Sequence, residues 1–562
     1  MTNYELAKEE ADKTDQKIIT LISQCKNIKV EAGAGAGKTY SLHKVIDWFN
    51  ENKMNDFRKQ KRKIACITYT NVAVEVIKKR IGTTQEIVPS TIHSFAWDNI
   101  KQFPSALRLF VKELGLITSE ELLMIKSVNY TLGVRSIENG VLYLYHNDVI
   151  SLFCKFLDYP KFRFILENKY AAILIDEYQD SYKEIMDKLV KYFIETKTKL
   201  QVCLFGDAWQ TIYQSNNACG EVVSNNLISI DKKVNFRSAK NIVKALNNIR
   251  PNLPQISAID NFDGEIYVVD CNDYEGVRRT SNHFKGDLPI EELNKRVLQI
   301  KNKFNYENES LKTLMLTHKL LASHQGYETL LEILEDSLKN MSDELFNFVA
   351  FVIENIYECL KNNDVSSLCE ILKSKPAINT RKEKNKWNKF FQDITEAREN
   401  TIFDVLKIVI ESKLVPTPID IIKLYDKMCN DVDEKYNGRS NLRTLKKVSY
   451  SEFVVAKQFL MPYSIYSTEH GVKGEEYDNV IFVISRGWNN YQFDKFLPME
   501  ESEVIKNLDA YIRNRNLFYV CCSRPKKRLC LLITFEVNKK FKDYLIKIFG
   551  EQNYYSYKDF IE

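Results

Sequence analysis

One octapeptide, Ala32-Gly-Ala-Gly-Ala-Gly-Lys-Thr39, constrains this chain more than any other feature. The strand-like run Ile28–Val30 leads into it, and Tyr40–Phe49 reads as a helix directly after it. Strand, glycine-rich turn and helix therefore come in the order that a phosphate cradle requires. Glycines let successive backbone amides curl around phosphate oxygens, and a helix N-terminus adds positive potential. Lys38 is placed to reach β- and γ-phosphates, and the Thr39 hydroxyl to ligate Mg²⁺. Ala32 stands where the general pattern has glycine. A flexible alanine–glycine loop is the alternative reading, and it leaves the ordered strand–loop–helix succession unexplained.

Such a loop needs a carboxylate partner. Ile173-Leu-Ile-Asp-Glu-Tyr-Gln-Asp180 is an apolar strand that ends in acids. Asp176 at the strand end is placed to hold the Mg²⁺ shell, and Glu177 to orient and deprotonate an attacking water. Alone, this segment would read as a buried strand meeting a solvated acidic turn. Paired with the upstream loop it reads as nucleotide chemistry.

At 562 residues the chain exceeds what one hydrophobic core usually organises, so several domains are expected. The net charge of +5 is mild, so any nucleic-acid groove must be local. No run approaches the ~18 apolar residues of a membrane span, and the N-terminal segment does not read as a secretory signal. The twelve cysteines are scattered without a Cys-x-x-Cys, which reads as reduced thiols in a cytoplasmic protein.

Strand-like runs at Ile28–Val30, Ile64–Thr68, Ala172–Ile175, Val202–Phe205, Leu314–Thr317, Tyr463–Tyr466, Val480–Ile484 and Leu529–Thr534 alternate with helical patterns, which predicts an α/β fold. Two stretches, 96–169 and 331–456, read as mostly helical. The expected architecture is two α/β cores, each interrupted by a helical insertion. Its segments are 1–95, 96–169 (first insertion), 170–234, 235–330, 331–456 (second insertion) and 457–562.

Further segments in chain order carry a family resemblance. They are Gln16; Ile67-Thr-Tyr-Thr-Asn71; Thr91-Ile-His-Ser-Phe95; Gly206-Asp-Ala-Trp-Gln-Thr-Ile-Tyr213; Asn235-Phe-Arg-Ser238; Thr468-Glu-His-Gly-Val-Lys-Gly-Glu-Glu476; and Tyr519-Val-Cys-Cys-Ser-Arg524. Taken with the phosphate loop and the acidic strand, the chain resembles the UvrD/Rep/PcrA branch of superfamily 1 helicases over nearly its whole length. The resemblance implies two RecA-like P-loop NTPase cores that share one ATP. It implies that Gln16 reads adenine, that Ala32, Gly33, Ala34, Gly35, Ala36, Gly37, Lys38, Thr39 and Tyr40 hold the nucleotide, that Phe236 stacks on the base and that Glu476 approaches the ribose. Arg237 and Arg524 would be arginine fingers from the second core, and Gln210 would couple the γ-phosphate to the DNA-contacting loop. Tyr69, Thr91, His93, Tyr213 and His470 fall where the family contacts single-stranded DNA. The activity implied is ATP-driven movement on single-stranded or partly duplex DNA, running 3′ to 5′.

This sequence also departs from the family pattern. Ser215 stands where an aromatic residue usually follows the Tyr213 motif, which would weaken base stacking or move it to Trp209. Glu475 replaces an apolar residue, and Asn516 replaces an arginine. The insertions are short. Only about 38 residues follow Arg524, too few for a fused nuclease domain. In its size and reduced insertions the chain also resembles the helicase subunit of Gabija-type anti-phage systems, which would imply a separate nuclease partner.

Overall fold

The computed structural model describes residues 2–68, 71–81, 84–130, 135–212, 218–280, 284–304, 306–315, 322, 326–339, 342–362, 364–372, 380–436, 440–460, 466–468, 475–486 and 491–562. The apolar runs that alternate with helices become two six-stranded sheets. The first contains β1 (Ile28–Ala32), β2 (Lys63–Thr68), β3 (Ile87–Thr91), β4 (Tyr170–Asp176), β5 (Gln201–Gly206) and β6 (Ile228–Lys232), in the order β3-β2-β4-β5-β1-β6. The second contains β7 (Glu265–Asp270), β8 (Leu311–Met315), β9 (Tyr466–Thr468), β10 (Tyr477–Ile484), β11 (Pro525–Ile533) and β12 (Tyr554–Ser556), in the order β9-β8-β10-β11-β7-β12. Every pairing in both sheets is parallel. Counted from its own first strand, each sheet has the same order, so the chain builds one topology twice.

Parallel strands need crossover connections, and the helices of those crossovers cover both faces of each sheet. The central strands are accordingly buried along their length, with Ile173, Leu174, Ile175, Val202, Leu204, Val480, Phe482 and Leu531 all inaccessible to solvent. Each sheet separates two apolar clusters, one per face.

The stretch predicted as the first insertion contains helices Pro104–Glu113, Ser119–Met124, His146–Leu157 and Pro160–Lys169. It also carries a small three-stranded sheet (Ser127–Tyr130, Ser136–Glu138, Val141–Leu144), an addition to the mostly helical pattern. Its Leu107, Phe110, Phe153 and Phe156 share one cluster with Ile173 and Val202, so it packs onto the first sheet instead of forming a core of its own. The second helical stretch does have its own cluster, running from Ala322 to Ala456. No helix among the described residues is long and apolar enough to cross a membrane. All twelve cysteines are free thiols.

Candidate active site

The octapeptide sits where its pattern predicts, at the C-terminal edge of the first sheet. β1 is buried throughout and ends at Ala32, which still pairs with Lys232 of β6. The residue in the usual glycine position is thus an ordinary strand residue, which explains why alanine serves there. The turn follows, with Gly35 at φ 71° and Gly37 at φ 70°, a left-handed conformation that glycine adopts without strain. A Cβ on Gly35 would lie 2.6 Å from Asn235 Oδ1 and 2.7 Å from Arg237 Cβ, so glycine also makes room for the segment that leads into the second half. Helix α1 (Lys38–Asn52) starts directly after Gly37 and buries Leu42, Val45, Ile46 and Phe49, a spacing that fixes one face against the sheet.

β4 delivers the acids to the same edge. Asp176 is its last residue, and its Oδ1 accepts the Glu177 amide at 3.0 Å. Glu177 has φ 50°, a sparsely populated region for a non-glycine residue. There its carboxylate meets Lys38 Nζ at 2.5 Å. Burial works against the Lys38 charge, but Glu177 and Asp176 more than offset it and hold its pKa above the ordinary value.

Four residues of the second half close the other wall: Phe236, Arg237, Glu476 and Arg524 line one cleft of about 390 Å³ together with Ala32–Tyr40, Glu177 and Gln210. The Phe236 amide donates to the Gly35 carbonyl at 2.9 Å, and Asn235 Nδ2 donates to the Ala34 carbonyl at 2.9 Å. The Ala34 amide in turn donates to the Tyr519 hydroxyl at 3.1 Å. Arg237 Nε is 2.9 Å from Glu476 Oε2, and Lys526 is 2.9 Å from the other carboxylate oxygen. Burial disfavours the Glu476 charge, yet Lys526 and Arg237 outweigh it and hold the pKa below the usual carboxylate value.

Arg524 is 1% exposed. It donates to the Val520 carbonyl at 2.9 Å, the Glu475 carbonyl at 3.2 Å and Gln210 Oε1 at 3.3 Å. Burial, reinforced by nearby Arg237, pushes its pKa down to about 10, which still leaves it a cation at neutral pH. Glu476 immediately precedes β10 and Arg524 immediately precedes β11. The second sheet therefore offers its N-terminal edge to the C-terminal edge of the first.

The structure thus brings most of the predicted nucleotide residues to one cleft. Gln16 does not line it; it lies exposed on the N-terminal helix Asn3–Ser23, next to Asp15, which is buried in contacts with Lys232, Lys44 and Ser41. Thr39 is exposed to the cleft and Asp176 is half-buried at the strand end. Both are hard oxygen donors, as Mg²⁺ prefers. Among the described residues no group of three or more His, Cys, Asp and Glu side chains could hold a metal ion.

Of the residues predicted to touch DNA, Tyr69, Tyr213 and His470 lie outside the described residues, as does Ser215. Thr91 caps the helix Ile92–Ile100, its Oγ1 accepting the Ser94 amide at 3.3 Å. His93 stacks on His146 with ring centroids 3.3 Å apart and meets the Tyr182 hydroxyl at 3.2 Å. Burial, then the neighbouring His146, pushes the His93 pKa down to about 4, so at neutral pH it offers a neutral ring. Trp209, the alternative base-stacking residue, is already packed: Arg515 lies 3.7 Å from its ring centroid, Arg250 5.3 Å, and Tyr519 stands edge-on at 5.7 Å. It is a contact between the halves and not a free platform. Asn516, the replacement for an arginine, donates to the Ala208 and Thr211 carbonyls at 3.3 and 3.1 Å, which joins the same two halves.

A phosphate loop on one parallel sheet, closed by cations from a second, is the arrangement of a P-loop nucleotide hydrolase. An AAA domain family model matches residues 15–216. The chain is 27% identical to the ATP-dependent DNA helicase Rep of Escherichia coli (strain K12), across 40% of this chain and 41% of that one. It is an ATP hydrolase of helicase type, similar to the UvrD-like superfamily 1 helicases. Along nearly its full length it is similar to the Gabija protein GajB of Bacillus cereus (strain HuB5-5), at 25% identity covering 97% of this chain and 98% of that one. A second Gabija protein GajB, from Bacillus cereus (strain VD045), is 22% identical over 93% and 96% of the two chains.

Proposed function

We propose that the chain is an Mg²⁺-ATP-dependent translocase on single-stranded DNA, moving 3′ to 5′, in which two RecA-like cores open and close on one nucleotide. The observation that carries this reading is the shared cleft. Lys38 and Glu177 belong to the first half, Arg237, Glu476 and Arg524 to the second, and all line one cavity. Lys38 is paired with Glu177 and Arg237 with Glu476. An entering triphosphate offers both cations a stronger anion. Lys38 then turns to the β- and γ-phosphates, which releases Glu177 to take a proton from the attacking water. Arg237 leaves Glu476, which is freed for the ribose, and joins Arg524 at the γ-phosphate, while Phe236 and Tyr40 flank the base.

Thr39 and Asp176 would hold Mg²⁺, which supplies charge neutralisation between the phosphates. Closure is favoured by ATP because only the closed state brings both arginines to the γ-phosphate, and hydrolysis removes that preference. Steady-state ATPase assays with and without single-stranded DNA test the reading. The expected result is Mg²⁺-dependent turnover that DNA stimulates. Turnover indifferent to DNA would overturn the translocase.

A second reading rests on a specific contrast in coverage. The match to Gabija protein GajB spans nearly the whole chain, whereas the match to Rep spans less than half. On this reading the ATPase senses DNA and licenses a separate nuclease subunit without processive unwinding. Co-purification of a nuclease with the tagged chain supports this second reading.

A further inference from the structure

Away from the phosphates, the two halves are joined by a buried ion pair that the sequence does not announce. Arg250 follows helix α2 (Lys240–Ile249) of the second half, and Asp207 follows β5 of the first. Arg250 Nη1 lies 2.6 Å from Asp207 Oδ1, and Nη2 lies 3.8 Å from Glu31 Oε2 on β1, the strand that leads into the phosphate loop. Asp207 is fully buried and Arg250 is 4% exposed. The guanidinium also lies 5.3 and 5.6 Å from the ring centroids of Trp209 and Tyr519, so apolar walls exclude water from the pair.

The far side of Asp207 holds Gln210, which lines the cleft. Asp207 Oδ2 accepts Gln210 Nε2 at 2.8 Å, and its Oδ1 also accepts the Trp209 amide at 3.0 Å. The other end of the same side-chain amide, Gln210 Oε1, accepts Arg524 Nη2 at 3.3 Å. A glutamine amide presents a donor at one end and an acceptor at the other, so whichever group holds one end decides what the other can do. Asp207 is an acceptor, and it fixes the NH₂ of Gln210 toward itself and the carbonyl oxygen toward Arg524. Arg250 in turn holds Asp207, and it reaches Asp207 only when the second half is seated on the first.

We propose that Arg250 is a positioning residue for ATP hydrolysis, one that orients Gln210 through Asp207 and makes that orientation depend on the contact between the halves. The inference rests on the reading of Gln210 as a group acting at the γ-phosphate. A buried ion pair could instead serve stability alone, since removing one partner strands the other charge. The two roles differ in their coupling to Gln210. A merely structural pair lowers turnover independently of Gln210, whereas a positioning residue has nothing left to orient once Gln210 is gone.

The test is a double-mutant cycle in the full chain, with kcat and KM for ATP measured at saturating single-stranded DNA for Arg250→Gln, Gln210→Ala and the double variant. Arg250→Gln is expected to lower kcat about tenfold or more, with KM for ATP moving far less, because an interaction made at the transition state is lost. The double variant is expected to turn over no more slowly than Gln210→Ala alone. Arg250→Lys keeps the charge without the forked donor and should fall between wild type and Arg250→Gln. It carries the same cycle if thermal unfolding shows Arg250→Gln to be unfolded. Losses that multiply in the double variant, or wild-type kcat in Arg250→Gln, would overturn the proposal. A wild-type chain that fails to hydrolyse ATP would be a different result, one that removes the functional reading and this inference together.

Discussion

The first and second sheets share a strand order and a strand direction, yet they use opposite edges and opposite charges. In the first, the turn after the opening strand β1 is short and glycine-rich, lines the cleft and leads straight into α1. In the second, the corresponding edge is filled by its own polypeptide. Arg278, from the connection that follows β7, donates to the carbonyls of Cys271, Thr534 and Gly286 at 2.5, 2.9 and 3.3 Å. Beside it Asp287, fully buried, accepts the amides of Leu288 and Arg486 at 3.1 and 3.0 Å and a hydrogen bond from the Thr534 hydroxyl. Carbonyls that point from the end of a parallel sheet need donors, and here arginine supplies them internally. The second sheet turns its other end to the cleft, where Glu476 and Arg524 precede β10 and β11. One topology thus carries a glycine-rich loop in one copy and the arginines that face it across the cleft in the other.

The largest effect that could break this comparison comes from the donor side. Arg524→Ala should reduce ATP turnover by roughly 10³–10⁵, the usual worth of an arginine finger, while nucleotide affinity changes little. It should also uncouple nucleotide state from DNA affinity, measured as single-strand binding with ADP and with a non-hydrolysable ATP analogue. Normal turnover in this variant would make Arg524 a purely structural residue. On the receiver side, Glu177→Gln should slow hydrolysis by roughly 10²–10⁴, as loss of a general base does, with ATP binding retained. Retained wild-type turnover would remove Glu177 from the chemistry.

The smallest effect sharpens the contrast between the two C-terminal edges. Asp287→Ala leaves buried donors without an acceptor and should cost about 1–3 kcal/mol of stability. Read from denaturant unfolding, that loss should come with near-normal kcat for the folded fraction. A fall in kcat comparable to that of Glu177→Gln would mean that the second edge takes part in the reaction.

The residues proposed to act on the phosphates are legible in the sequence because their chemistry is local. A glycine-rich turn, a lysine, a threonine and an acid-ended apolar strand must each occur as short contiguous segments, and Lys38, Thr39, Asp176 and Glu177 all do. Strand assignment was less even. The central strands β4, β5, β10 and β11 announce themselves as apolar runs because both faces are covered. Strands β3, β6 and β12 stand at sheet edges, carry polar residues and, in β3, Pro89, so they do not read as strands. Strand β7 is interior and does contain an apolar run, Ile266–Val269, although it is missing from the predicted strands.

What the sequence determined by itself is therefore the α/β class, the phosphate loop with its carboxylates, and the order of the segments that line the cleft. What only the tertiary structure decided is which side chains the folded halves hold against each other. No spacing rule connects Arg250 to Asp207, Asn516 to Ala208 and Thr211, or Tyr519 to the Ala34 amide. The same holds for Trp209, whose identity suggests a base platform until Arg250, Arg515 and Tyr519 are seen packed around it. The physical reason is range. Backbone turns and strand periodicity are encoded within a few residues, whereas a buried ion pair between halves depends on how two separately folded sheets meet.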